Sequence, residues 1–290
     1  MRVRFPWTSP LSDEHPQIEP LRPSDVRDLR LPWLSRFAPD TLSSHLDAYP
    51  DLSLWVPRTG EYAVSAQWRR RPEIAELMEV SARKGKPSLL TALIERLRGH
   101  DYRLALMSDE MWKSDAKLYR EIGFSHLERV VIFQKDLRRE CDPPGRELPA
   151  LEFIPMSERD LDLLLEVDHA SFPWLWWNSA PEFEDYMRIP GVHILLALHA
   201  GEPVGYVSFT MYSGWAHLDR IAVVEKRQGR KFGAAQLRHV LCAMQNLGAA
   251  SVQLSTQENN VQSHKLYKSF GFRQTHDTMN FYGLDLGTLS

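Results

Sequence analysis

Glu225-Lys-Arg-Gln-Gly-Arg-Lys-Phe-Gly-Ala-Ala235 is the stretch of this sequence that decides the fold. It is a basic turn with two glycines, between an apolar run that ends at Val224 and a run of helical spacing that begins near Phe232. A turn that enters a helix offers free backbone N–H groups and the positive end of the helix dipole, and both favour phosphate. Glycine lets the backbone approach an anion closely. The stretch predicts a phosphate-binding turn, with an ordinary surface loop as the alternative.

Strands and helices follow a regular order around this turn. Apolar and polar residues alternate in several runs before it, and a Gly-Glu-Pro turn at 201–203 favours antiparallel neighbours. Capping residues predict two earlier helices, one after Ser157 and one after Ser179. The remaining predicted elements are strands at 151–154, 193–199, 204–211, 216–224, 251–255 and about 278–284, and helices at 232–247 and 261–270.

Two sequence patterns carry a resemblance to a known family. Residues 221–237 are similar to the strand-loop-helix motif of the GCN5-related N-acetyltransferases (GNAT), summarised as Gln/Arg-x-x-Gly-x-Gly/Ala. Gln228 and Gly233 occupy its outer positions, and Lys231 replaces the middle glycine. Residues 260–272 resemble the family pattern Asn-x-x-Ala-x-x-Leu-Tyr-x-x-x-Gly-Phe, with a serine in place of the alanine. The resemblance covers the chain from about residue 151 to its end.

The first half of the chain repeats sequence patterns of the second half. Ile18–Asp25 resembles Leu151–Glu158, and Ala116–Phe124 resembles His264–Phe272, in matched order and spacing. Such internal similarity predicts a duplication. A connector rich in proline and charge, at about 138–150, separates the copies. We therefore expect a first domain at 1–140 and a second at 150–290.

The resemblance implies a fold class for both copies. Each is expected to be an α+β (α/β mixed) acyl-CoA N-acyltransferase domain, with a mostly antiparallel mixed central sheet flanked by helices. In the first copy the phosphate loop corresponds to 81–90, where Gly85 remains but Leu89 falls where the second copy has Gly233. Pro87 also removes a backbone N–H. We expect this degenerate copy to bind acetyl-CoA poorly, and to support the second domain or close its acceptor site.

The resemblance also implies an activity. The family transfers an acetyl group from acetyl-CoA to a primary amine by direct attack in a ternary complex, and a small-molecule acceptor is the leading hypothesis. An acyl-CoA-binding regulatory module and a protein or peptide N-acetyltransferase are the alternatives. A backbone N–H near Val223 is the implied oxyanion donor. The implied acetyl-CoA-binding residues are Ile221, Ala222, Val223, Gln228, Gly229, Arg230, Lys231, Phe232, Gly233, Ala234, Asn260 and Tyr267.

Two residues are candidates for proton transfer. Tyr267 matches the tyrosine that in this family gives a proton to the coenzyme A sulfur, although it could instead pack its helix against the sheet. Asp219 is the candidate base, because it lies on the strand that leads into the loop. It could instead be a structural partner for Arg220 or a solvated strand residue. His217 lies two residues earlier on the same strand face and is an alternative base.

Trp174-Leu-Trp-Trp-Asn178 lies between the first two helices of the second copy. In this family that region forms one wall of the acceptor pocket, so the tryptophans could select an apolar, aromatic or cationic acceptor. They could equally fill the interface between the two domains.

Composition excludes several other classes of protein. The chain has 290 residues and a net charge of −3, without the positive balance of a nucleic-acid binder. Its two cysteines, Cys141 and Cys242, are too few and too far apart to predict a disulfide framework or a metal cluster. No apolar run is long enough for a membrane span. We expect a cytoplasmic protein without metal, nucleic acid or membrane partners, as a monomer or homodimer.

Overall fold

The computed structural model of the chain describes residues 17–138 and 147–287. The strands in these residues form one sheet of twelve, against which the helices pack. The strands are β1 (Glu19–Pro20), β2 (Leu54–Val56), β3 (Glu61–Gln67), β4 (Ile74–Ser81), β5 (Leu104–Ser108), β6 (Ser125–Asp136), β7 (Glu152–Pro155), β8 (Val192–His199), β9 (Glu202–Met211), β10 (Trp215–Val223), β11 (Ser251–Gln257) and β12 (Arg273–Asp285). The helices are α1 (Pro39–Ala48), α2 (Lys86–Gly99), α3 (Asp109–Ser114), α4 (Ala116–Ile122), α5 (Leu161–His169), α6 (Ala180–Met187), α7 (Phe232–Asn246) and α8 (Val261–Ser269). None of the helices described is long and apolar enough to cross a lipid bilayer.

The sheet is mostly antiparallel, and its strand order is β1-β2-β3-β4-β5-β12-β6-β11-β10-β9-β8-β7. Only two neighbouring pairs in it are parallel, β4 with β5 and β10 with β11. Both parallel pairings are short: β10 pairs with β11 over Trp215–Leu218 and then continues to Val223 without it. The two strands therefore leave an opening beyond Leu218.

Most elements predicted for the second half are confirmed. The helix predicted after Ser179 is α6, and the Ser179 side chain accepts a hydrogen bond from the Glu182 N–H, as an N-cap does. The helix predicted from Phe232 is α7, and Gly248 just beyond it has a left-handed φ of 96°. Glycine adopts that conformation without the steric cost that other residues incur.

The end of the chain differs from the prediction. The sequence predicts a last strand at about 278–284 that completes the second domain, but β12 is longer and pairs with β5 of the first half. In turn, β6 of the first half lies between β12 and β11. Local patterning cannot distinguish these arrangements, because β6 and β12 are equivalent strands of the two copies. Val131 lies opposite Thr278, and Val130 lies opposite Met279, at the centre of the exchange.

The exchanged strands complete both hydrophobic cores. Phe133 on β6 is fully buried in the core of the second half, where it contacts the rings of Tyr267 and His264. Leu284 on β12 and Leu286 just after it are buried in the core of the first half. Each half therefore relies on apolar side chains from the other half for its own core.

The cysteines also differ from the expectation. Cys242 on α7 is disulfide-bonded, whereas the sequence analysis predicts no disulfide framework. Separation along a chain is a poor guide here, because disulfide formation depends on the distance between Cβ atoms in space. Cys141 lies outside the described residues.

Truncation of Phe133 tests the exchange. Phe133→Ala is expected to lower the free energy of unfolding by about 3–5 kcal/mol, because it leaves a cavity in the core of the second half. Urea unfolding followed by tryptophan fluorescence measures the loss. The neighbouring Gln134→Ala is the control: its side chain is exposed, and the expected change is within about 0.5 kcal/mol. Equal effects of the two substitutions would contradict the exchange.

Candidate active site

A cavity of about 880 Å³ opens where β10 and β11 separate, beside the first turns of α7 and α8. Its lining contains nine of the twelve residues that the sequence analysis assigns to acetyl-CoA. Ala222 is buried beneath it, Arg230 is exposed outside it, and Tyr267 lines an adjoining cavity. The nine are Ile221, Val223, Gln228, Gly229, Lys231, Phe232, Gly233, Ala234 and Asn260.

The turn before α7 has two residues in the left-handed region. Gly229 has a φ of 77°, and Lys231, where the family motif has its middle glycine, has a φ of 63°. Lys231 thus keeps a backbone conformation that glycine adopts more easily. The side chain of the N-cap residue Lys231 makes no capping hydrogen bond, and the N–H groups of the first turn of α7 have no acceptor within the helix. This N-terminus faces the large cavity and is suited to an anion.

The peptide between Ala222 and Val223 is held in one orientation. The Ala222 carbonyl accepts a hydrogen bond from the buried Gln236 side chain at 2.9 Å. A Cβ atom at Gly205 would lie 1.9 Å from the same carbonyl oxygen, so only glycine fits there. Because the C=O and N–H of a trans peptide point in opposite directions, the Val223 N–H points away from Gln236. Neither Gln236 nor Gly205 was predicted from the sequence.

A smaller cavity of about 110 Å³ adjoins the large one. The two share Phe172, Ile221, Gln257, Asn260 and Ser263 in their linings. The small cavity also contains charged and proton-bearing side chains from three elements, so the polar groups converge at the inner end of the larger opening. These side chains are Arg69, Asp219, Arg220 and Tyr267.

Tyr267 is at once a core residue and a residue of the small cavity. Its ring packs against Phe133 and Phe272, and only 4% of its surface is exposed. Burial raises the pKa of its phenol to about 12, and a hydrogen bond with Ser263 opposes the rise. The hydroxyl therefore holds its proton at neutral pH.

Asp219 lies at an irregularity of β10, where the register against β9 shifts between Leu218 and Arg220. Its carboxylate accepts hydrogen bonds from Tyr186 at 2.5 Å and Thr210 at 2.7 Å. The third partner is His217, whose Nδ1 lies 2.7 Å from Oδ1. An ionised carboxylate only accepts hydrogen bonds, so Nδ1 of a neutral His217 carries the proton and Nε2 is left as an acceptor. The structure thus brings the two alternative bases together.

Arg220 belongs to a buried polar network instead of pairing with Asp219. Its guanidinium contacts Asp168 at 2.6 Å, and it also donates to the Asn178 side-chain oxygen at 2.9 Å. Asp168 is fully buried and accepts further hydrogen bonds from the Tyr206 hydroxyl and the Asn178 N–H. The structural pairing of Asp219 with Arg220, considered from the sequence, was wrong. Removing one partner of such a buried pair typically costs about 3–5 kcal/mol.

The segment 174–178 lies against the first half of the chain. The Trp68 indole N–H donates to the Leu175 carbonyl, and the Trp176 indole N–H donates to Glu128 at 2.7 Å. Trp68 and Trp176 also meet edge to face, with ring centroids 5.8 Å apart. Because Trp176 lines the small cavity as well, the segment fulfils both alternatives: it fills the interface between the halves and closes one wall of the pocket.

Arg69 is the charged residue that the first half contributes to the small cavity, which Val130 of β6 also lines. It lies in a short 3₁₀ turn after β3, and both Arg69 and Arg70 have a φ of 52°. Its guanidinium donates to the Asn178 side-chain oxygen at 2.6 Å. Arg69 was not predicted from the sequence, because a run of arginines at 69–71 also fits a solvated surface. The adjacent Trp68 was the one indication that this run is not simply solvated.

Comparison with known proteins identifies the second half. Residues 160–272 match the model of the acetyltransferase (GNAT) family. This segment of the second half is similar to a GNAT domain. A stretch of 93 residues is 30% identical to the aminoalkylphosphonate N-acetyltransferase of Salmonella typhimurium, and the match covers 30% of this chain. The chain spans 60% of the length of that relative.

Solved structures extend the likeness in fold to the whole chain. A GCN5-related N-acetyltransferase from Sphaerobacter thermophilus matches with a TM-score of 0.59 at 16% identity, over 93% of this chain and 95% of that one. A tandem GNAT protein from the clavulanic acid biosynthesis pathway matches with a TM-score of 0.56 at 17% identity, over 94% and 99%. The predicted fold class, two tandem GNAT domains of mixed α+β architecture, is thereby confirmed.

The equivalent loop of the first copy binds a carboxylate from β3. Glu61 Oε1 accepts the N–H groups of Arg83 at 2.8 Å and Lys84 at 3.3 Å. A Cβ at Gly85 would lie 2.5 Å from Glu61 Oε2, so the carboxylate also covers that position. An internal anion therefore uses backbone N–H groups of the kind that bind phosphate in a GNAT loop.

The start of the helix after this loop also differs between the GNAT copies. Loop 82–85 is shorter than loop 224–231 of the second copy. Aligned on the starts of α2 and α7, Pro87 falls opposite Gly233, whereas alignment on the loop glycines places Leu89 there. The shorter loop of the first copy shifts the residues that follow it relative to those of the second copy. Aligning the two loops on their glycines does not reveal this shift.

Proposed function

We propose that the protein transfers the acetyl group of acetyl-CoA to a primary amine of a small molecule, by direct attack in a ternary complex. The observation that carries this proposal is the pair of adjoining cavities. Tyr267 and Asp219 line the small cavity of about 110 Å³, which shares Ile221 and Asn260 with the large one. Groups able to donate and accept protons thus lie at the inner end of the opening suited to a cosubstrate.

The proposed acetyl-CoA site uses the larger cavity. The left-handed turn and the uncapped start of α7 support binding of the pyrophosphate by the backbone N–H groups from Gly229 to Ala234. The proposed oxyanion donor is the Val223 N–H, which Gln236 and Gly205 orient through the preceding carbonyl. Preorientation matters here because a donor fixed before the reaction need not be reorganised during it.

The proposed proton transfers follow from the small cavity. Acetyl-CoA, when bound, supplies a thioester whose carbonyl carbon an amine can attack. The C–N bond forms as the C–S bond breaks, and each change requires one proton to move. Asp219 takes the proton of the attacking amine, directly or through His217, and Tyr267 gives a proton to the departing sulfur.

A small acceptor fits the enclosure of this cavity. Trp176 and Arg69 cover it from the second and first halves of the chain, which leaves little room for a peptide. The similar Salmonella protein is named for aminoalkylphosphonates, which are small amines. We therefore favour a small molecule over a protein substrate.

The proposed division of labour assigns catalysis to residues 150–290 and a supporting role to the degenerate copy at 1–140. Two observations support it: Glu61 binds the loop N–H groups of the first copy, and Arg69 reaches the acceptor cavity from that copy. The first copy would thus close the acceptor site without binding acetyl-CoA itself.

Release of coenzyme A tests the proposed function. Incubation of the full chain with acetyl-CoA and a panel of small primary amines, amino acids, aminoglycosides and peptides is expected to release coenzyme A fastest with small amines. Acetyl-CoA binding without turnover of any acceptor would favour the regulatory module. Faster turnover with peptides would favour a protein substrate.

Tyr267→Phe tests the proposed acid. The pKa of about 12 keeps the phenol protonated at neutral pH, so loss of its hydroxyl is expected to lower kcat about a hundredfold while acetyl-CoA still binds. Steady-state kinetics and calorimetry measure the two quantities. Tyr119→Phe, at the equivalent position of the first copy, is the matched control and should leave kcat unchanged. Unaltered turnover by Tyr267→Phe would remove the residue from the mechanism.

A pH–rate profile tests the proposed base. A base must be unprotonated to act, so kcat/KM of the wild type is expected to fall as the pH is lowered through the pKa of the base. Asp219→Asn or His217→Ala should remove or displace this fall and lower kcat/KM by about a hundredfold or more. The surface variant Asp185→Asn serves as the control. If both test variants keep the wild-type profile, neither residue is the base.

A further inference from the structure

We infer that the acceptor amine carries an anionic group, a carboxylate or a phosphonate, which binds Arg69 in the small cavity while the amine lies toward Asp219. This inference rests on the proposed function and assigns the chemical class of its substrate. It also assigns a substrate-binding residue to the half of the chain that we propose not to bind acetyl-CoA.

The first observation is the incomplete hydrogen bonding of Arg69. Its Nη1 donates to Asn178, but its buried Nε has no hydrogen-bond partner among the described residues. The rings of Trp68 and Trp176 lie 5.2 and 5.4 Å from the guanidinium carbon, so two aromatic groups hold the cation in place. A buried unpartnered donor costs about 1–3 kcal/mol, and Arg69 lines the cavity, so an oxyanion bound there would offer this guanidinium an acceptor.

The second observation is the pair of arginines at this end of the cavity. Arg69 and Arg220 both line it, and the carboxylate of Asp168 is already bound to Arg220. Burial and the nearby Arg220 charge lower the pKa of Arg69 to about 10, so the Arg69 guanidinium remains charged at neutral pH. The carboxylates of Glu182 and Asp168 only partly offset these effects. An anionic ligand would relieve the repulsion between the two cations.

The third observation is the strained backbone at Arg69. Non-glycine residues seldom adopt a φ of 52°, and two in succession require surrounding contacts that hold them. The Ser179 hydroxyl donates to the Arg69 carbonyl at 2.8 Å and supplies one such contact from the second half. This contact holds the backbone of Arg69, whose side chain lines the cavity.

The same cavity has the opposite charge at Asp219, which lines it together with the two arginines. A molecule with an ammonium group and an oxyanion would match both ends, with the anion at Arg69 and the amine at the candidate base. A neutral amine would bring no oxyanion to Arg69. The small volume limits the spacer between the two groups to a few atoms.

Three matched amines test the inference on the full chain. The probes are 2-aminoethylphosphonate, β-alanine and the neutral propylamine. The wild type is expected to show a kcat/KM for at least one anionic amine that exceeds the propylamine value by about tenfold or more, as a charged hydrogen bond provides. The better of the two anionic probes distinguishes phosphonate from carboxylate. Equal or faster turnover of propylamine overturns the inference, while the proposed acetyltransferase activity stands.

Arg69→Met and Arg70→Met form a matched pair of variants. Arg70 has the same φ but binds Asp185 at 3.1 Å and does not line the cavity. Arg69→Met should raise KM for the anionic amines by about tenfold to a hundredfold more than for propylamine, whereas Arg70→Met should not alter the preference. Arg69→Lys, which keeps the positive charge, should restore part of the preference for anionic amines. Equal losses for anionic and neutral amines in Arg69→Met overturn the inference.

Calorimetry separates this inference from the proposed activity. Titration of 2-aminoethylphosphonate and propylamine into the wild type with coenzyme A present requires no turnover. Preferential binding of the phosphonate, lost in Arg69→Met, supports the anion site even if no amine is acetylated, an outcome that would refute only the proposed activity. Binding of neither probe, or equal binding of both, counts against the anion site.

Discussion

Each half of the chain buries apolar side chains of its last strand in the core of the other half. Phe133 on β6 is completely buried among residues of the second half, and Leu284 on β12 is buried among residues of the first. Burial of such side chains contributes about 1.5–3 kcal/mol each, so neither core is complete without the exchange. The exchange also shapes the site, because Val130 and Glu128 on β6 line the two cavities of the second half.

The two copies differ in what the backbone N–H groups of their equivalent loops can bind. In the first copy the loop N–H groups bind the Glu61 carboxylate, which belongs to the fold and stabilises it permanently. In the second copy the helix N-terminus has no side-chain cap and faces an open cavity. Lys231 holds a left-handed backbone there at a cost of about 1–2 kcal/mol. The second loop thus keeps its shape without an internal anion to fix it.

The parts of the structure that depend on local chemistry could be predicted from the sequence. Capping at Ser179 and the left-handed Gly248 fix helix ends within a few residues, and the predicted α6 and α7 are confirmed. The strand exchange could not be predicted, because β6 and β12 have equivalent sequence patterns and either strand could occupy the same position in the sheet. The choice depends on the connection between the halves and on packing over the whole molecule.

The candidate site, like the fold, contains residues that could be predicted from the sequence and residues that could not. The loop 228–234 and Tyr267 lie within motifs of fixed spacing, so both could be located from the sequence and both line the cavities. Gln236 acts on a backbone carbonyl, and Arg69 lies far from the motifs in sequence. Neither has a local pattern that separates it from an ordinary helix or surface residue. Their placement follows only from tertiary contacts.

A buried carboxylate determines how the two halves meet at the acceptor cavity. Asp168 accepts the Asn178 N–H at 2.9 Å, and the Asn178 side-chain oxygen in turn accepts hydrogen bonds from both Arg69 and Arg220. A buried ion pair is often no more stabilising than a well-packed apolar group of the same volume, so the pairing of Asp168 with Arg220 is poorly explained by stability alone. Its geometric effect is more specific, because it fixes the one amide oxygen that receives a guanidinium from each half. The position of Arg69 at the cavity is therefore set by a carboxylate that belongs entirely to the second half.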